Sequence, residues 1–216
     1  MKKKLVWSTC LLALALCFTL PAMAGVAYNN TLPNPSSCCS GWTIGGSGSF
    51  VGLVEDAQLF TSATTGTVSQ ISIDIGFALG DNLATVGIYE DLAGVPGALI
   101  AGSTTGNLVA LPFGTSCPAC ELQVFGTGGT LTTGQQYFVE ILADNSTWDA
   151  WNMNGNGILG TLEQNLGSGW NIFPGSTLGG MEIQTGGSTT PEPSTLLMLG
   201  TGLVGALGVV RRKLNL

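Results

Sequence analysis

Apolar and polar residues alternate in short runs through the middle of the chain. Ile71, Ile73, Ile75 and Phe77 recur at period two with Ser72, Asp74 and Gly76 between them, which predicts a strand with one buried face. Residues 66–70 lead into it, and 85–90 repeat the alternation. Residues 57–61, 98–101, 108–111, 121–125, 137–142, 149–152, 169–173 and 181–184 predict further short strands, divided by Gly, Thr, Asn and Ser clusters, with a turn over 91–97. No sustained helical period precedes residue 196, and β-branched residues with abundant Gly disfavour helix. About ten short strands predict an all-β protein: a single antiparallel β-sandwich, jelly-roll-like, over residues 55–187. A β-solenoid is the runner-up, but no regular repeat supports it. Residues 25–54, rich in Asn, Pro, Ser, Gly and Cys, predict a cysteine-containing lead-in with little regular structure.

The two ends follow a different pattern. Lys2, Lys3 and Lys4 precede an apolar run over 5–20, and Ala22-Met23-Ala24 stands before Gly25, so residues 1–24 read as a secretory signal peptide. At the other end a second apolar run fills residues 196–210. As a helix those residues rise about 22 Å against a hydrocarbon core of ~30 Å, a marginal span. Arg211, Arg212 and Lys213 snorkelling at its end extend it and act as a stop-transfer signal. One short transmembrane helix is therefore expected over 196–210, with a basic cytoplasmic tail over 211–216 and the cargo facing the periplasm. A linker over 188–195 carries Pro191, Glu192 and Pro193.

Charge narrows the chemistry. All six basic residues lie at the two ends, and the protein has no histidine, whereas residues 25–190 hold twelve carboxylates. Such a field repels nucleic acid and favours divalent cations or neutral sugars. Without His, Lys or Arg in the cargo there is no Ser-His or Cys-His pair, no Ser-Lys dyad and no imidazole ligand, so no enzyme is expected. A two-carboxylate glycosidase is the catalytic class that survives. Asp144 with Asp149, or Glu140 with Asp149, are the acids nearest Trp148 and Trp151, although solvated surface positions are the commoner fate of such residues.

Cys10 and Cys17 leave with the signal, so Cys38, Cys39, Cys117 and Cys120 remain in an oxidising compartment where structural disulfides are the default. Two bridges are expected: either Cys117 closes a small loop with Cys120, or each of these pairs with Cys38 and Cys39. No metal site is assigned, and calcium is the one cofactor the oxygen ligands would admit, through Asp144, Asn145 and Asp149 or through Asp81, Glu90 and Asp91. Trp148, Trp151 and Trp170 would stack on sugar rings if exposed on one face, with Asn152 and Asn154 as hydrogen-bond partners; the competing and weightier placement fills the sandwich core.

Pro191-Glu192-Pro193, the apolar run behind it and the terminal Arg/Lys cluster, paired with a signal peptide, resemble the bacterial PEP-CTERM sorting signal. The resemblance implies two processing partners, signal peptidase and an exosortase, a multi-pass membrane protein that acts near the Pro-Glu-Pro. It also implies cargo linked to exopolysaccharide, biofilm or floc formation. Residues 86–91, 94–99 and 132–139, with Trp148 and Trp151 beyond them, resemble choice-of-anchor β-sandwich domains, which implies the sandwich and no assigned activity. The expectation is an exported protein, first membrane-anchored and then at the outer surface or extracellular. Its role would be structural or adhesive in the extracellular matrix, with extracellular polysaccharide as a partner. A carbohydrate-binding module is the alternative, and a glycosidase the lesser one.

Overall fold

The computed structural model describes residues 25–35, 39–102 and 109–186. In chain order the strands are β1 (Gly25–Asn29), β2 (Gly41–Gly45), β3 (Glu55–Thr61), β4 (Gly66–Leu79), β5 (Ala84–Asp91), β6 (Pro96–Gly102) and β7 (Leu111–Pro112). They continue with β8 (Glu121–Phe125), β9 (Thr130–Leu131), β10 (Gln136–Ala143), β11 (Trp148–Asn152), β12 (Leu159–Asn165), β13 (Trp170–Thr177) and β14 (Met181–Thr185). No helix occurs among the described residues. The expected signal peptide, Cys38 and the expected transmembrane helix lie outside them.

The alternation centred on Ile73 becomes β4, the strand around which one sheet is built. That sheet has eight strands in the order β1-β14-β4-β11-β2, with β7, β8 and β9 also pairing with β4. Residues 70–73 of β4 bond to β14 on one edge and to β8 on the other. The second sheet has six strands in the order β13-β12-β3-β10-β5-β6. All pairings are antiparallel except that of the two-residue β7 with β4. The protein is thus an all-β, two-sheet sandwich.

The pleat decides the core. Successive strand side chains point to opposite faces, so Ile71, Ile73 and Ile75 of β4 face the second sheet together with Ile44, Trp151, Met181 and Ile183. Phe60, Val86, Ile88, Val139 and Ile141 answer them from the six-stranded sheet. Burying each such side chain contributes about 1.5–3 kcal/mol.

Five strands depart from the expectation. Residues 25–54 contain β1 and β2, whose ladders are long-range: Gly25 pairs with Thr185, and Gly41 with Asn152. A segment with few apolar residues becomes strand because a distant partner completes its hydrogen bonds, which local propensity does not report. β12 has Leu162 as its one buried apolar residue and is held between β3 and β13 by ladder bonds. β9 is a two-residue pairing with the start of β4. The strand expected over 108–111 shrinks to β7, with residue 108 outside the described residues.

Candidate functional site

Five of the carboxylates do not sit where a solvated surface would put them. Asp56, Asp74, Glu140, Asp149 and Glu163 are all buried. Asp149 occupies a core-facing position of β11, beside Ile44 of β2 and Phe77 of β4 in the ladders. Among the described residues neither of its carboxylate oxygens has a hydrogen-bond partner. Burial alone pushes its pKa up to about 7. Asp144, by contrast, is exposed. Asp149 is therefore no surface acid, and the pair Asp144 and Asp149 lines no common groove. Glu140 is also separated from Asp149: it lies on β10 between the core-facing Val139 and Ile141, so the pleat turns it to the outer face of the other sheet.

That outer face carries a grouping the sequence did not indicate. Glu163 of β12 and Glu140 of β10 both register with Ala57 of β3, so the two glutamates flank one small residue. Glu55 follows two residues along on the same face, held by a 2.7 Å hydrogen bond from Asn165 Nδ2. Burial, and then the charge of Glu55, push Glu140 up to about 7; burial, and then Asp91, do the same to Glu163. Tyr89 leans over Gly87, where an added Cβ would stand 2.8 Å from its ring. Burial, then Glu140 and Glu55, push the Tyr89 hydroxyl up to about 12.

The tryptophans separate as well. Trp151 has no exposed surface, and its Nε1 donates to the Gly180 carbonyl at 3.0 Å, so it fills the core and offers no ring to a sugar. Trp148 is half-buried and stacks on Phe50, itself 84% exposed, with ring centroids 6.0 Å apart. Trp170 begins β13 at the edge of the other sheet, so the three rings share no face. Asn152 and Asn154 are buried, and Asn154 is engaged with the Leu178 and Ile158 carbonyls.

The calcium candidates are likewise not assembled. Asp81 precedes β5, whereas Glu90 and Asp91 end it, and Asp91 accepts a hydrogen bond from the Gly94 amide in the following turn. Of the acids and cysteines among the described residues, one group brings three ligand atoms within 4.8 Å of one another: Asp74, Cys117 and Cys120. Cys117 and Cys120 form a disulfide, which closes the small loop, and Cys39 is disulfide-bonded separately. The Cys-Pro-Ala-Cys spacing was legible in the sequence. Asp74 was not: in the alternation it reads as an ordinary outward polar residue. The chain between β6 and β8, which places Phe113 over Gly76 and both cysteines beside Asp74, buries it.

Pro191, Glu192, Pro193, Arg211, Arg212 and Lys213 lie outside the described residues, and here the comparison with known families speaks. Residues 189–213 match the family model for the PEP-CTERM protein-sorting motif. A search of curated proteins returned no match. The fold and the motif together define a class, an all-β cargo carrying a C-terminal sorting signal. The chain carries the PEP-CTERM signal: its precursor is exported and membrane-associated, and it is processed by an exosortase. The matched residues lie wholly beyond the sandwich.

Proposed function

We propose that the protein is a structural or adhesive component of the extracellular matrix, delivered by exosortase sorting, with no catalysis of its own. The observation that carries this reading is the sorting motif at residues 189–213 behind a sandwich whose expected acid pairs do not meet. In this reading the apolar run over 196–210 holds the precursor at the membrane with its cargo in the periplasm, and processing then moves the cargo to the outer surface or outside the cell. Fractionation of cells and matrix tests it. The processed chain is expected with the exopolysaccharide fraction, and its deletion is expected to weaken matrix cohesion. Recovery as a soluble periplasmic protein, with matrix unchanged by deletion, would count against the reading.

A carbohydrate-binding module is the second reading, supported by the exposed Phe50 stacked on Trp148. An aromatic contact of this kind contributes about 1 kcal/mol. Phe50→Ala and Trp148→Ala are each expected to lower retention on a neutral insoluble polysaccharide by roughly fivefold. Retention equal to that of the parent chain removes this platform.

A further inference from the structure

The buried corner formed by β4, β11 and the Cys117–Cys120 loop has more polar chemistry than a structural disulfide requires. A cystine is apolar and is at home among isoleucines. Here the Asp74 carboxylate, on a residue 2% exposed, lies with an oxygen within 4.8 Å of both sulfurs. Two sulfurs and a carboxylate brought this close are donor types that hold a divalent cation. The approach is tight: a Cβ on Gly180 would stand 2.0 Å from Asp74 Oδ2, so glycine at that position is what lets the carboxylate occupy the corner. A second, independent observation comes from Asn152. It has no exposed surface, its Nδ2 donates to Cys120 Sγ at 3.4 Å, and its Oδ1 has no partner among the described residues. An orphaned buried amide oxygen on a side chain that touches Cys120 Sγ can join the two sulfurs and the carboxylate as a fourth ligand.

We propose that in its dithiol form the chain binds one zinc-class divalent cation through the Cys117 and Cys120 thiolates and the Asp74 carboxylate, with the Asn152 amide oxygen completing the shell. Two thiolates and two oxygens suit a tetrahedral, borderline-soft ion and do not suit calcium, which takes six to eight oxygens. The disulfide and the metal are alternative states of the same two sulfurs. A dithiol reductant donates two electrons and two protons to the disulfide and is itself oxidised to a disulfide; the cation then displaces both thiol protons as the two metal–sulfur bonds form. A half-turn of the Asn152 amide exchanges its Sγ-facing NH₂ for the oxygen.

Cobalt(II) binding to the full exported chain tests this, with and without prior reduction by a small dithiol under anaerobic conditions. The reduced chain is expected to take up one Co²⁺ with a thiolate-to-cobalt charge-transfer band that Zn²⁺ abolishes, and the oxidised chain is expected to show none. Cys117→Ser with Cys120→Ser should eliminate the band. Asp74→Asn should weaken Zn²⁺ affinity by on the order of 100-fold, and Asn152→Ala by about tenfold. Far-UV circular dichroism of each variant, and slower alkylation of the thiols when Zn²⁺ is present, separate lost ligation from lost fold. No thiolate band in the reduced, folded chain would overturn the proposal. So would an Asp74→Asn variant that binds like the parent, or a reduced chain that unfolds even with Zn²⁺.

Discussion

Asp149 shows how much a single side chain costs this fold. It stands in the core with both carboxylate oxygens lacking partners among the described residues, and burial lifts its pKa from the ordinary 3.8 to about 7. Burial lifts Asp56 to about 7 as well, against a hydrogen bond from Gln164 that lowers it. Below the ordinary value both folded and unfolded chains hold these protons, so the shift contributes nothing. Between about 4 and 7 the unfolded chain releases them and the folded chain keeps them, so stability falls as pH rises; above about 7 the loss is complete and constant. Chemical denaturation from pH 4 to 8 is expected to show this decline, and Asp149→Asn to flatten part of it, melting higher than the parent at pH 8 but not at pH 4. A parent curve that rises across the window would contradict the assignment. The sequence could not announce this: Asp149 reads as a surface acid because carboxylates are mostly solvated, and its inward direction follows from its register with Ile44.

At the scale of elements, β4 was the most legible part of the chain, because its apolar side chains keep strict alternation over the stretch that crosses the core. β1, β2 and β12 were not, since their stability comes from ladders to strands remote in sequence. The connections between strands carry a second kind of information. Gly80 follows β4 with φ +96°, and a Cβ there would stand 2.0 Å from the Ser146 carbonyl oxygen. Gly94, in the turn between β5 and β6, has φ +90° and open space around it. Gly94→Ala is therefore expected to cost about 1 kcal/mol of backbone strain, and Gly80→Ala at least ~3 kcal/mol, since the displaced group is backbone that cannot rotate away. Thermal melts of the two variants compare them directly. Equal losses would mean that the approach of Ser146 does not fix the end of β4.

For the whole molecule, the sequence divides cleanly by charge: cations at the ends, twelve carboxylates and no cation over residues 25–190. The sorting signal was legible because its three parts are contiguous and read in one order, and residues 189–213 match it. The site chemistry was less so, because the sandwich brings Asp74 to Cys117 and Cys120, and Glu140 to the flank of Glu163, across strands that no local spacing connects. We propose that exosortase processing delivers this cargo and releases it from its precursor tail. The most direct measurement is the intact mass of the protein recovered from cells with and without the exosortase. Loss of the segment from the Pro191-Glu192-Pro193 region to Leu216 is expected when the enzyme is present, and its retention when the enzyme is absent. The same full-length tail in both would contradict it.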